Sequence, residues 1–233
     1  NPIIISLIII FVITLFAFYI YERKQSEPFI DFSLFSNKIY IGTTLANLMV
    51  NTEIGVLALF NIYVQDDMNL TGFQAGLITI PYMICSLIMI RIGEKFMRKN
   101  GPQIPLMLGP TTITVGILLL SLTVLPNTLY YVIACIGFIF IGLGLGFFAT
   151  PALSTAVSNV PSEKVGTASG IIKMTSTLGA AFGIAVVTTI YTTLSLHLPE
   201  HSAATIAFII GACMVFVACI SAFILVPKRN VEI

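Results

Sequence analysis

Charged residues make up only 9% of this 233-residue chain, where a soluble domain carries roughly a quarter. That scarcity excludes a soluble globular domain. With a net charge of +1 there is also no basic surface for nucleic acid, and no nucleic-acid partner is expected. Histidine is nearly absent. His197 and His201 share one short loop with Pro199 between them and only Glu200 nearby, so no metal site is expected. The four cysteines, Cys85, Cys135, Cys213 and Cys219, all fall inside apolar runs and form no CxxC pair. They read as small core hydrophobes. No His/Cys/Asp cluster, nucleophile–base arrangement or phosphate loop is visible, so neither an enzyme nor a cofactor is expected. No ten-residue alternating pattern occurs, which excludes a β-barrel. An initiating methionine is missing too. The chain opens on Asn1 and turns apolar at once, which suggests a fragment of a longer protein.

What is present is hydrophobic, at 57% of residues and a mean hydropathy of +1.02. Seven apolar runs can be counted, at about 3–21, 39–64, 73–96, 104–125, 128–150, 165–194 and 203–226. Each is near or above the ~20 residues an α-helix needs to cross a bilayer. The first is too long for a signal-peptide core and has no small-residue cleavage site after it, so it reads as a span. The expected fold is an all-α membrane protein of seven transmembrane helices.

Lysine and arginine set the orientation. With seven alternating spans, Arg23, Lys24, Lys38, Arg91, Lys95, Arg98, Lys99, Lys164, Lys228 and Arg229 all fall on one side. The other side carries Asp66, Asp67 and Glu200 and no base. The basic side is the cytoplasm, so the N-terminus of the chain lies outside and its C-terminus inside. The link 22–38 mixes charges with Phe29, Ile30, Phe32, Leu34 and Phe35, the composition of a segment lying on the cytoplasmic surface or of a plain loop.

Apart from the charges that close the third run, two lie deep within the spans. Glu53 sits mid-span in the second run, where a carboxylate costs roughly 2.5–3.5 kcal/mol on insertion scales. Such an acid either satisfies a neighbouring helix or loads and releases a proton as access alternates. Lys173 lies about two turns into the sixth run, where its long stem can snorkel, pair with an acid or serve transport directly. On a regular helix Thr43, Thr44, Asn47, Asn51 and Asn61 share a sector about 100° wide, a polar stripe for a cavity wall, while Glu53 projects roughly 120° from Asn47. Either Glu53 faces a neighbouring helix or the helix is irregular near Thr52–Gly55. Gln74, Tyr82 and Ser86 are weaker cavity candidates. Gly142, Gly144, Gly146 and Pro151 close the fifth run, and Gly166, Gly170, Gly179 and Gly183 pair at four-residue spacing in the sixth. This is the small-xxx-small pattern of tight helix crossing.

The stretch LTGFQAGLITIP, with Thr71, Gln74, Ala75, Gly76 and Pro81, resembles the S-P-x-x-A-G-x-x-x-x-P pattern of the fourteen-helix drug:proton antiporters of the major facilitator superfamily. Val160–Ala185 is similar to that family's V-P-x-x-x-x-G-x-A-S-G … L-G-x-x-x-G-x-A signature. Met89–Pro102 resembles a degenerate G-x-x-x-D-R-x-G-R loop without its aspartate. Where relatives often carry an arginine before the L-G motif, this chain has Ser176, with Lys173 one turn earlier. The wording around IDFSLFSNKIY, IRIGEK and LGLGFFATP is similar to the staphylococcal Nor-type quinolone pumps.

The resemblance implies a register. Residues 1–21 would be a linker helix, the eighth of fourteen, and 22–38 the cytoplasmic link. Residues 39–227 would form the six-helix C-terminal domain, with 228–233 as a cytoplasmic tail. It also implies that the second and fifth spans line the central cavity while the fourth and seventh mainly face lipid. The implied function is export of hydrophobic cationic or zwitterionic drugs in exchange for protons, in a bacterial plasma membrane, together with the N-terminal half of the same transporter. The other function considered is a non-transporting half-protein that pairs with another chain.

Overall fold

The computed structural model describes residues 32–227 and isolated positions of the first apolar run (6, 9, 10, 12–14, 16, 17, 20 and 21), which are helical and exposed. The first span as a whole, most of the 22–38 link and the 228–233 tail lie outside the described residues. The described chain is helical: α1 (Lys38–Asn51), α2 (Glu53–Asp66), α3 (Gly72–Asn100), α4 (Gln103–Leu120), α5 (Asn127–Ser158), α6 (Val165–Leu194) and α7 (Glu200–Leu225), with short 3-10 turns at Phe32–Ser36 and Ser162–Lys164. Helices α1 and α2 run on as one span, so six spans among the described residues are long and apolar enough to cross a membrane.

Local chemistry sets the helix ends. The Asn37 side chain accepts from the Ile39 and Tyr40 amides at 2.9 and 3.3 Å, satisfying donors that α1 leaves open. Its amide donates to Asn159 O at 2.8 Å, tying the start of α1 to the end of α5. At α3, Thr71 and Gln74 form a reciprocal capping box. That helix stops at Gly101, whose φ of 85° disfavours any side chain. Pro81, Pro110 and Pro151 sit inside α3, α4 and α5. Each removes one backbone bond, which buried helix neighbours can tolerate.

The six spans fall into two sets of three, α1–α2/α3/α4 and α5/α6/α7, and the contacts between the sets mirror each other. Helix α3 packs on α5 as α6 packs on α1–α2; α4 packs on α5 as α7 packs on α1; α4 also meets α7 and α1 meets α5. Glycines set both close crossings. A Cβ at Gly142 or Gly146 of α5 would run into the backbone of Tyr82 or Ser86 on α3. One at Gly179 or Gly183 of α6 would strike the backbone of Leu48 or Thr52. Gly144 meets Gly109 and Ile113 of α4, and Pro151 is buried within α5.

Gly166 and Gly170 depart from expectation. Nothing lies within 4 Å of a Cβ at either, so this pair makes no tight crossing. Both are exposed, on the side of α6 turned away from Gly179 and Gly183, while Ala168 and Ile172 of the same turns stay against α1. The lipid-facing expectation for α4 and α7 is also qualified. Half of α4's apolar stretch is buried inside the chain, against 6% of that of α3, because α4 is flanked by both α5 and α7. The outward side chains Leu108, Val115 and Leu118 on α4, and Phe223 and Ile224 on α7, remain apolar and suited to lipid.

The interior is aromatic near the ends away from the basic residues. Phe60 meets Phe138 edge-on at 4.7 Å, and Tyr63 meets Tyr130 at 5.9 Å. At the basic end, Leu34, Tyr40, Ala156, Ala168, Ile171 and Ile172 form a second cluster. The Tyr40 hydroxyl there donates to Ala168 O at 3.1 Å.

Candidate substrate pocket and buried acid

A hydroxyl interrupts the α1–α2 span. Thr52 Oγ1 donates to Met49 O at 2.6 Å, and the Thr52 and Gly55 amides bond three residues back, at 3.2 and 3.0 Å. This is 3-10 tightening of the kind a buried threonine competing for backbone carbonyls produces. Just beneath the break, Gly55 and Gly183 meet backbone to backbone. Asn47 and Asn51 lie before the break and Glu53 immediately after it.

Before the break, a cavity of about 360 Å³ opens between three helices. Asn47 and Asn51 of α1 form one wall, Leu145, Phe148, Ala149 and Leu153 of α5 the second, and Ser169, Ile172, Lys173 and Ser176 of α6 the third. Asn47 is buried and serves mainly as a tie. Its Nδ2 lies 2.9 Å from Ile172 O, 3.1 Å from Thr175 Oγ1 and 2.8 Å from Ser176 Oγ. Asn51 Nδ2 donates back to Asn47 O at 2.7 Å. Lys173 is exposed to the cavity and has no hydrogen bond or ion pair among the described residues.

Glu53 does not line this cavity. It is 2% exposed, and its Oε1 accepts a 3.1 Å hydrogen bond from the Tyr82 hydroxyl on α3. Its Oε2 has no hydrogen-bond partner. Both possibilities raised for this residue therefore hold: the acid faces a neighbouring helix, and the helix is irregular beside it. Tyr82 lies against Gly142, so the bond joins the α1–α2 span to the α3–α5 crossing.

The remaining polar candidates sit elsewhere. Asn61 lies beyond the break, and its amide donates to Leu57 O at 2.9 Å on its own helix. Ten residues past Asn51, it is not a wall of the cavity. Gln74 is exposed in the first turn of α3 and is consumed by the capping box, so it does not line this cavity either. Ser86 is half-buried and donates to Met83 O on its own helix, and it does not line the cavity. Tyr82 pairs with Glu53 rather than facing the cavity.

The sequence reading singled out Lys173 but not the rest of the α6 wall. Ser169 and Ser176 flank Lys173 at helical spacing, a one-sided polar pattern that could have been read from that spacing alone. Phe148 gave no signal among so many apolar residues. A smaller polar recess at the end away from the basic residues holds Tyr63, Asp67, Thr123, Asn127 and His201. Among the described residues no group of three or more His, Cys, Asp or Glu side chains could hold a metal.

Comparison with known proteins places this architecture. The family profile of the Major Facilitator Superfamily matches residues 2–184. Two curated relatives, both named Quinolone resistance protein NorB, come from Staphylococcus aureus strains MRSA252 and JH9. They are 40% and 41% identical to this chain over 226 residues, 97% of it. The chain spans about half the length of these relatives, 49% of each. Six crossing helices and a profile match over most of the chain make this a multi-pass membrane protein that belongs to the Major Facilitator Superfamily.

Proposed function

We propose that residues 39–227 form the C-terminal domain of a multidrug efflux antiporter that exports amphiphilic, quinolone-like drugs in exchange for protons. The observation that carries this reading is the cavity between α1, α5 and α6, polar on two walls and apolar on the third, inside otherwise lipid-soluble helices. Asn47 stands nine residues from the basic end of α1, ~14 Å of helix rise, close to the middle of a ~30 Å hydrocarbon core. Midplane binding between two domains is how such transporters alternate access. The relatives' names, which speak of quinolone resistance, support the drug class. In this reading Asn51 and Lys173 contact substrate. Asn47 holds the wall, and Glu53 with Tyr82 carries the exchanged proton.

The lysines and arginines mark the cytoplasmic face, so the N-terminus of the chain lies outside and its C-terminus inside a bacterial plasma membrane. Residues 1–21 act as a linker helix, and the opposing cavity wall belongs to an N-terminal half.

The test uses the full-length transporter in everted vesicles. A proton gradient, acid inside, should drive quinolone uptake, and Asn51→Leu should raise the KM for drug several-fold at equal expression. Gradient-independent accumulation, or an unchanged KM in Asn51→Leu, would refute the reading.

A further inference from the structure

We propose that the α1/α5/α6 pocket recognises the carboxylate end of an aromatic drug, with Lys173 as its counter-charge; this rests on the transport reading above and names the substrate chemistry within it. Of the residues lining the pocket, only Lys173 is ionisable. Glu53, the one buried acid among the described residues, is outside the pocket and engaged by Tyr82. The pocket therefore offers a cationic ligand a like charge and no counter-charge, whereas an anionic group finds a partner.

The donor inventory points the same way. The amides of Asn47 and Asn51 are bonded to Ile172 O and Asn47 O. The hydroxyls of Ser169 and Ser176 donate to Val165 O and Ile172 O at 2.8 and 3.1 Å. The uncommitted donors are the ammonium hydrogens of Lys173, which has no ion-pair partner among the described residues. A carboxylate supplies what they lack, a charge-assisted hydrogen bond in a weakly polar cleft. Opposite Lys173, Leu145, Phe148 and Leu153 give a flat apolar wall for an aromatic body. A zwitterionic aryl acid fits this arrangement with its acid toward α6. Its amine then lies away from this domain.

The experiment compares three probes on the full-length transporter in everted vesicles: a fluoroquinolone with its free carboxylate, the methyl ester of the same compound, and ethidium. Lys173→Met should raise the KM for the free acid at least tenfold and leave the ester and ethidium within twofold. Lys173→Arg should restore the acid. Equal loss for all three probes would make Lys173 a structural or coupling residue and overturn the proposal, as would an unchanged KM for the acid. Should the wild-type protein move none of the three, the transport reading itself fails, and this assignment with it. A measurement on the unmutated transporter covers misfolding of the variants. Naphthoate should compete with the quinolone at concentrations where naphthylmethylamine does not, and the reverse order overturns the proposal.

Discussion

Replacing Gly183 with alanine puts a methyl group where the Thr52 backbone already lies. The obstacle is main chain, not the flexible tip of a side chain, so no rotamer change relieves it. Helix α6 must move away from the α1–α2 span. That motion loosens Gly179 against Leu48 and Gly55 against Gly183 in the same step. Overpacking of this kind costs about 1–3 kcal/mol, a shift in the folded-to-unfolded ratio of about fivefold or more. Alanine's better helix propensity returns only about 0.5–1 kcal/mol. Gly170, on the same helix, is the control. A Cβ there meets nothing within 4 Å, so Gly170→Ala gains propensity without a clash. Unfolding of the purified full-length transporter in denaturing detergent should rank Gly183→Ala below wild type and Gly170→Ala at or above it. Equal stability of Gly183→Ala and wild type would refute the packing argument, and a Gly170→Ala loss as large as that of Gly183→Ala would refute the contrast.

Two further substitutions probe separate links. Tyr82→Phe removes the hydroxyl that Glu53 Oε1 accepts from and leaves both carboxyl oxygens without a partner; it should lower stability by about 1–3 kcal/mol, read in the same unfolding assay, and an unchanged midpoint would mean the bond carries no stabilisation. Asn37→Ala loses a helix cap and the tie to Asn159 O, and about 1 kcal/mol of stability should go with them; hydrogen exchange should rise at the Ile39 and Tyr40 amides, and protection equal to wild type would count against the cap.

Six helices were legible because hydropathy reports the slab of lipid a helix must cross. The apolar run 165–194 coincides with α6, and 39–64 falls within the α1–α2 span Lys38–Asp66. Helix ends were less legible because hydropathy stops where water begins, while hydrogen bonding does not. Helix α3 continues past residue 96 through Arg98 and Lys99, one of which pairs with Glu94 at 2.7 Å. Helix α5 passes through Pro151 to Ser158, whereas α4 stops at Leu120, before the end of its apolar run.

At the site, residue types were legible and their partners were not. An acid and a lysine in apolar runs announce themselves on cost alone. Angle alone could not place Asn61, which stands ten residues past Asn51, ~15 Å along the span and beyond the reach of the cavity. The meeting of Asn47 with Ile172, and of Glu53 with Tyr82, depends on helix register set by backbone contacts at Gly179, Gly183 and Gly142. Small-residue spacing hints at such contacts but cannot choose among them, as Gly166 and Gly170 show.

The central claim is that drug binding and proton exchange occupy different places in this domain, the α1/α5/α6 pocket and the Glu53–Tyr82 pair. Drug–drug counterflow and proton-driven uptake separate them, measured side by side in proteoliposomes of the full-length Glu53→Gln transporter. Glutamine keeps an acceptor for Tyr82 but cannot exchange a proton. Counterflow at the wild-type rate with proton-driven uptake abolished is the predicted result. Loss of both together, or retention of both, would contradict it.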